Sequence, residues 1–213
     1  MYCKKALPKI ISALLLSSLL TVTFSSPAFA AETSGTLEDS EIRWTYDDET
    51  NTLTLTGDGN STLTSLRGAP SADRDRINVE GIRQINCSLG ADYIYLGEDV
   101  EVFREDEYGD GKVIPPFATD AYEVDDDNPY FADYNGALYN KDLTYLYHVP
   151  SHQREVELAD TLETLGSYSF YYTSARYIVI PWGTTVAEEN ALDYLRRDED
   201  YYDTYGVNDY PYI

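Results

Sequence analysis

The chain has few of the residues that usually build catalytic or metal sites. Its 213 residues include two histidines, one methionine and two cysteines, and one of these cysteines, Cys3, lies in an apolar leader. Cys87 is then the one cysteine left in the mature chain, so an intramolecular disulfide and a thiolate zinc cluster are both excluded. Cys87 lies between Ile85 and Leu89, and we favour a buried, inert thiol over a thiol that pairs between chains.

Positive charge is also scarce. The chain has 15 Lys and Arg residues against 38 Asp and Glu residues. Three of the lysines lie in the leader, so the mature chain carries 12 basic and 38 acidic residues, a formal net charge of −26. Such a surface repels nucleic acids and anionic membranes, and favours basic proteins, cations or neutral ligands. Solubility alone is enough to explain most of these charges.

Long hydrophobic runs are absent after residue 30. Residues 10–24 form one apolar run that follows three lysines and precedes the cleavage-site pattern Ala28-Phe29-Ala30. The run is shorter than a membrane span of about 20 residues, so we interpret residues 1–30 as a signal peptide. The mature chain would begin at Ala31, with no membrane span, and is long enough for one domain with a core of its own.

A short repeated phrase is the most informative feature that is present. The stretch Val156-Glu157-Leu158 leads into further apolar residues, and Ile178-Val179-Ile180 does the same 22 residues later. A weaker copy begins at Ile94, 62 residues before Val156. Repeats of this length, each opened by a short β-branched stretch, are typical of leucine-rich-repeat coils that stack into a solenoid.

Other segments have their own signals. Alternation over residues 42–46 and 52–56 predicts a β-hairpin that covers the first coil, and residues 60–76 are predicted to be a loop. Residues 104–118 are expected to leave the coil. The pair Asn135-Gly136 is a strong hairpin-turn signal. The capping-box pattern from Thr185 to Glu188 predicts a short helix over residues 186–197 that covers the last coil.

The expected fold is therefore mostly β: a short leucine-rich-repeat solenoid with an N-terminal β-hairpin cap and a C-terminal helical cap. The predicted domains are a signal peptide (1–30), a linker (31–41), a β-hairpin cap (42–67), a solenoid (68–192) with an inserted hairpin at 128–150, and a C-terminal cap with an acidic, tyrosine-rich tail (193–213).

Several phrases resemble those of one known family. The matching residues are Leu158, Leu162, Leu165-Gly166 and Ser169-Phe170 in one unit, Ile180-Pro181 and residues 189–192 in the next, and residues 135–142 in the insert. Together they resemble the BspA-type leucine-rich-repeat proteins, which are bacterial surface and secreted proteins. The resemblance implies a leucine-rich-repeat fold and an extracellular recognition or adhesion role.

Catalytic and metal sites have weak support. His148 and His152 are four residues apart, but Pro150 lies between them and we expect solvated loop positions rather than a metal pair on a helix. Two acidic stretches, residues 106–111 and residues 125–128, resemble parts of calcium loops, and solvated turns are the favoured interpretation of both. No pair of carboxylates stands out as the floor of a glycosidase cleft. We therefore expect no metal and no cofactor.

Tyrosine is unusually frequent, with 21 residues. Tyrosine combines a ring that can be buried with a polar tip, and is favoured at contact surfaces. If the apolar residues of the predicted strands point inward, strand alternation points their neighbours outward. We name the outward set the contact strip, and expect the stacked coils to place it side by side on one sheet face: Tyr93, Tyr95, Glu155, Glu157, Tyr177 and Val179. Packing of these rings against each other is the competing interpretation.

The sequence thus predicts a secreted, non-enzymatic recognition or adhesion module that binds an extracellular protein or glycan, at the cell surface or away from it. Two alternatives stay open: a secreted carbohydrate-active or calcium-dependent enzyme, and a structural spacer. The sequence defines neither the ligand nor the oligomeric state.

Overall fold

A computed structural model describes residues 33–70, 74–103, 118–171 and 173–192. The predicted signal peptide and the predicted cap and tail at 193–213 lie outside these residues. The part that is described contains fourteen strands and no helix. The strands are β1 (Thr33–Thr36), β2 (Arg43–Asp47), β3 (Thr52–Leu63), β4 (Arg76–Ile85), β5 (Ala91–Leu96), β6 (Val102–Phe103), β7 (Ala118–Val124), β8 (Phe131–Tyr134), β9 (Ala137–Asn140), β10 (Tyr145–His148), β11 (Glu155–Glu157), β12 (Thr164–Leu165), β13 (Tyr177–Val179) and β14 (Val186–Ala187).

The first sheet has seven strands in the order β1-β2-β3-β4-β5-β7, with β6 paired to β4. The pair β2–β3 is antiparallel and is the hairpin that the sequence predicts, with Trp44 opposite Leu55 and Tyr46 opposite Leu53. All four of these side chains are buried. From β3 onward the pairing in this sheet is parallel: β4 lies beside β3, β5 and β6 both lie beside β4, and β7 lies beside β5. Strand β1 lies within the stretch assigned above to a linker, and pairs with β2.

Strand β3 is longer than the sequence predicts. It continues to Leu63, so the prediction of a loop from residue 60 is wrong for its first residues. The register of β3 with β4 shifts between Thr56 and Ser61. Two glycines meet at this shift. A Cβ on Gly57 would lie 2.2 Å from the carbonyl oxygen of Gly81, and the residue Gly81 has a φ of +60°. Only glycine allows the two backbones to approach so closely, and β3 continues through the register shift without ending.

The C-terminal half repeats every 22 residues, as predicted. In the parallel pair β11–β13, Val156 lies beside Ile178. In the parallel pair β12–β14, Leu165 lies beside Ala187. One coil therefore contributes one strand to the two-stranded sheet β11-β13 and one strand to the five-stranded sheet β14-β12-β10-β9-β8.

A hairpin separates the two halves. Strands β8 and β9 are antiparallel, and Asn135 and Gly136 form the turn between them with φ values of 51° and 77°. This turn contacts both sides: the backbone N–H of Tyr122 in β7 donates to the carbonyl of Gly136 (2.8 Å), and the Asn135 amide donates to the carbonyl of Glu157 in β11 (3.2 Å). The turn thus bridges the first sheet and the β11–β13 pair.

The predicted C-terminal helix is wrong. Val186 and Ala187 form the strand β14, and residues 189–192 form turns. The Glu188 carboxylate does not cap a helix, because it accepts hydrogen bonds from the Tyr145 hydroxyl (2.9 Å) and from the backbone N–H and hydroxyl of Ser167 (3.0 and 3.1 Å). These contacts come from neighbouring coils, so tertiary pairing overrides the local helical pattern. The rest of the predicted helix lies outside the described residues.

The apolar interior forms two main clusters. The N-terminal cluster runs from Leu37 to Leu138 and includes Tyr122, and Cys87 packs against it half-buried. The C-terminal cluster contains Val156, Leu165 and Ile178, among others. Because residues from both sheets of a coil share the C-terminal cluster, the coils bury their apolar sides together rather than one at a time.

Candidate functional site

The outward side of the first sheet holds the first two residues of the contact strip. Ile94 and Leu96 of β5 are fully buried, so Tyr93 and Tyr95 point outward, as strand alternation predicts. The Tyr93 ring is 39% exposed, whereas Tyr95 is less exposed. The two tyrosines therefore have different surroundings although they lie two residues apart.

Tyr95 is held by its neighbours. Its hydroxyl donates a 2.5 Å hydrogen bond to Oδ2 of Asp125, and the Arg76 guanidinium lies 6.0 Å from the centre of its ring. The hydrogen bond to Asp125 is the main cause that raises the pKa of Tyr95 to about 12, with burial adding to it. The same bond lowers the pKa of Asp125. Tyr95 is therefore fixed within the surface.

Arg76 reaches across β5 from β4 to β7. Its guanidinium forms a bidentate pair with Glu123, at 2.6 and 3.1 Å, and also donates to the side-chain oxygen of Asn78 (2.7 Å). The hydrogen bonds between Arg76 and Glu123 raise the pKa of the guanidinium and lower that of the carboxyl. Bidentate geometry restricts both side chains, so this pair fixes the surface between Tyr93 and Tyr95.

The other four residues of the strip lie on the β11–β13 pair. Glu155 lies beside Tyr177, and Glu157 lies beside Val179. All four side chains are exposed, with Tyr177 at 53% and Val179 at 46%, while Val156 and Ile178 between them are buried. The predicted outward orientation is therefore observed, and it places two carboxylates next to two apolar side chains.

The six residues do not share one sheet face. Tyr93 and Tyr95 lie in the seven-stranded sheet, and the remaining four lie in the two-stranded sheet. Strand β7 and the turn at Asn135-Gly136 lie between them. The expectation that all six lie side by side is wrong, because the inserted hairpin takes the place of a strand at this point.

Several exposed features of the structure were not predicted from the sequence. Trp182, in the turn after β13, is fully exposed, and Val186 of β14 is half-exposed near it in the chain. A shallow groove of about 160 Å³ lies on the hairpin β2–β3 and is lined by Thr45, Tyr46, Asp47, Thr50, Thr52 and Thr54. Threonine is favoured in strands in any case, so its frequency in the sequence did not indicate a groove.

The two histidines differ from each other. His152 is exposed, as predicted, and its Nδ1 lies 2.9 Å from Oδ1 of Asp120. His148 is fully buried, so the prediction of a solvated position is wrong for it. It ends strand β10 and contacts Tyr122 and the carbonyl of Tyr171. Burial lowers the pKa of His148 to about 4.

The acidic turn at residues 125–128 is organised by Asn128, which is fully buried. Its Nδ2 donates to the carbonyls of Gly97 (2.8 Å) and Val100 (3.0 Å), and its Oδ1 accepts from the backbone N–H groups of Tyr130 and Phe131, both at 2.8 Å. Asn128 therefore ties this turn to the preceding coil.

The other stretch considered for calcium, residues 106–111, lies outside the described residues. In the portion that is described, no group of three acidic, histidine or cysteine side chains is placed to hold a metal ion.

Two solved structures resemble this one. A leucine-rich repeat protein from Eubacterium ventriosum shares 15% identity and a TM-score of 0.40, and the match covers 76% of this chain but 63% of that one, less than two thirds of its length. The pneumococcal vaccine antigen PcpA shares 12% identity and a TM-score of 0.36, with 76% and 69% of the two chains covered. No protein-family model matches the sequence, and no curated protein matches it.

Similarity of this size does not establish a shared fold or function. The stacking of parallel coils is shown by the strand pairing within this chain itself. The BspA-type resemblance stays a prediction. Within the described ranges, no helix has the length and apolar character that crossing a membrane requires.

Proposed function

We propose that this protein is a secreted, non-enzymatic recognition or adhesion module that binds an extracellular protein or glycan through the contact strip. The observation that carries the proposal is the arrangement on β11 and β13, where Tyr177 and Val179 are exposed beside Glu155 and Glu157. Exposed aromatic and apolar side chains on a sheet supply contact area, and a tyrosine ring does so at little cost in conformational entropy. Flanking carboxylates add specificity through charge.

The members of the strip have different roles in this proposal. Tyr95 is fixed by Asp125 and Arg76, so it supports the surface from within. Tyr93 and Tyr177 are the exposed rings and make the direct contacts. Because pre-organised side chains lose little freedom when a ligand binds, the fixed network beside Tyr93 favours binding there.

The groove on the hairpin β2–β3 supports binding over hydrolysis. Among its lining residues, Asp47 is the one carboxylate and most of the others are threonines. Hydrolysis of a glycosidic bond usually requires two carboxylates that flank the bond. Threonine hydroxyls can donate and accept hydrogen bonds, so this groove suits contact with hydroxyl-rich ligands.

The test is a binding screen against immobilised extracellular-matrix proteins and a glycan array. The variant combines Tyr93→Ala with Tyr177→Ala, and the matched control is Tyr130→Ala, which removes a ring that is 46% exposed but lies outside the strip. We expect the double variant to lose at least about tenfold in affinity, as for two contact residues that each contribute about 1 kcal/mol or more. The control should bind like the wild type.

Unchanged affinity of the double variant for every ligand that the wild type captures would contradict the proposal. Salt dependence then separates the partner classes. Capture of a basic protein by Glu155 and Glu157 should weaken as the salt concentration rises, because exposed charges are screened. Capture of a neutral glycan should not.

A further inference from the structure

Both histidines of the chain contact side chains of the same strand. His148 contacts Tyr122, and His152 contacts Asp120; both partners belong to β7. Strand β7 is the last strand of the first sheet, whereas the histidines belong to the C-terminal half of the chain. We call this meeting of β7 with residues 148–152 the junction.

His148 joins the two apolar clusters. Its Nδ1 lies 2.8 Å from the Tyr122 hydroxyl, which belongs to the N-terminal cluster, and its Nε2 lies 3.2 Å from the carbonyl of Tyr171. The rings of Tyr122 and His148 meet edge to face, with centroids 5.8 Å apart. Val149, the next residue, belongs to the C-terminal cluster. The imidazole therefore lies where the halves pack together.

The contacts define the tautomer of the neutral ring. A carbonyl can only accept, so Nε2 carries the proton that is donated to Tyr171, and the neutral ring then has an acceptor at Nδ1. The Tyr122 hydroxyl donates to this acceptor. A second proton on Nδ1 would turn the acceptor into a donor, so the hydroxyl would have to accept instead of donate, and it would place a charge in a fully buried site.

We propose that His148 makes the junction sensitive to acid: protonation of its ring places a charge in a fully buried site, reverses the hydrogen bond with Tyr122 and loosens the packing between the two halves. The surroundings of the ring support this. Strand β7 contributes the Tyr122 phenol, the turn after β12 contributes a carbonyl, and Leu138 of β9 lies opposite in register. Asp120 of β7 lies at the surface against His152 rather than against His148.

The direction of the effect follows from linkage. The pKa of His148 is about 4 in the folded protein against an ordinary value of 6.5, so its contribution to stability is fully present above pH 6.5 and is lost as the pH falls towards 4. Between pH 7 and pH 4 this group alone raises the ratio of unfolded to folded protein by about a hundredfold.

The second histidine contributes little at the junction. Its Nδ1 lies 2.9 Å from Oδ1 of Asp120, but the two side chains are 61% and 37% exposed. An exposed ion pair changes an equilibrium constant by about fivefold at most. The effect of His148 therefore dominates at the junction.

Since Tyr93 and Tyr177 lie on opposite sides of the junction, acid would also change their relative positions. That consequence rests on the proposed function; the behaviour of His148 does not.

The first test is a proton NMR titration of the imidazole rings from pH 3 to pH 8. With two histidines in the chain, His152→Gln leaves a single ring signal and assigns it to His148. We expect this ring to remain neutral to below about pH 5 in the folded protein. Titration of the His148 ring between about pH 6 and 7 would overturn the proposal.

The second test compares urea unfolding at pH 7 and pH 4.5 for the wild type, His148→Gln and His152→Gln. Carboxylates also titrate in this range, so the difference between proteins is the readout. The wild type should lose at least about tenfold more in its folding equilibrium constant than His148→Gln, because glutamine cannot be protonated. His152→Gln should follow the wild type. Equal losses in the wild type and His148→Gln would overturn the proposal.

A third measurement covers the case in which His148→Gln fails to fold. Hydrogen exchange of the Tyr122 amide in the wild type reports opening of the junction, because this N–H donates from β7 to the carbonyl of Gly136 (2.8 Å). Its protection factor should be lower at pH 4.5 than at pH 7. Equal protection at the two pH values would contradict the proposal.

Discussion

Val156 lies directly beside Ile178 in the parallel pair β11–β13, and the two residues are 22 positions apart in the chain. Both side chains are 3% exposed and belong to the same apolar cluster. Their outward neighbours, Glu157 and Val179, are adjacent for the same reason. A single period in the sequence thus determines both which side chains form the interior and which are presented together at the surface.

Ile178→Ala tests the interior of this pair. Removal of a buried isoleucine costs about 2–5 kcal/mol in the free energy of unfolding, because the cavity left behind closes incompletely. The matched control, Val179→Ala, changes the next residue, which is 46% exposed, and should change stability by no more than about 0.5 kcal/mol. Urea unfolding at pH 7 measures both. Similar values for the two variants would contradict the assigned burial.

Gly57→Ala tests the close approach of β3 and β4. The new Cβ would lie 2.2 Å from the carbonyl oxygen of Gly81, a backbone atom that cannot rotate away. We expect the free energy of unfolding to fall by about 3 kcal/mol, the upper end of the usual range for overpacking. Gly183→Ala is the control, since its Cβ would have its nearest neighbour 3.8 Å away, and it should be neutral or slightly stabilising. Thermal unfolding measures both variants. A Gly57→Ala protein with the same midpoint temperature as the wild type would contradict this close approach.

Asn128→Asp tests the buried turn. The Nδ2 of Asn128 donates to the carbonyl oxygens of Gly97 and Val100, at 2.8 and 3.0 Å. The change replaces this donor with a carboxylate oxygen, which the two carbonyl oxygens repel. Two lost bonds and a buried charge should cost at least about 3 kcal/mol in the free energy of unfolding at pH 7. Asp127→Asn, at an exposed neighbour, is the control and should have little effect. A mild effect of Asn128→Asp would place this side chain at the surface.

Tyr95 gives a prediction at alkaline pH. Its pKa is raised from 10 to about 12, so the stability that it contributes is fully present below pH 10 and is lost as the pH rises through 12. Unfolding should therefore become easier above pH 10 by more in the wild type than in Tyr95→Phe. The difference absorbance of the two folded proteins should contain a phenol that ionises near pH 12. Ionisation of that phenol near pH 10 would show that Asp125 does not hold it.

The sequence predicts the repeated coil and the N-terminal hairpin. The apolar residues at Val156 and Ile178 recur at the spacing of one coil, so their pairing and the outward position of Tyr177 could be derived from alternation alone. The hairpin β2–β3 could be derived from its alternating residues in the same way. These features depend on residues close together in the chain or one period apart.

Other features depend on contacts that have no sequence signal. Glu188 has the position of a helix cap, but Ser167 and Tyr145 from earlier coils bind its carboxylate instead. His148 is followed closely by a proline and resembles a loop residue, yet Tyr122, 26 residues earlier, buries and binds it. The separation of the contact strip into two sheets likewise follows from where the hairpin turn at Asn135 packs.

Disulfide trapping tests the 22-residue stacking most directly. In a background with Cys3→Ala and Cys87→Ala, Glu157→Cys is combined either with Val179→Cys, its partner across β11 and β13, or with Tyr177→Cys, two positions away.

Partners on neighbouring strands are about 4.8 Å apart at Cα, within the range that a disulfide spans, whereas a shift of two residues increases the separation to about 8 Å. Mild oxidation followed by peptide mass mapping should therefore give a disulfide in the first pair and little or none in the second. Equal trapping of both pairs, or preference for the second, would contradict the stacking of coils on which the four strip residues of β11 and β13 depend.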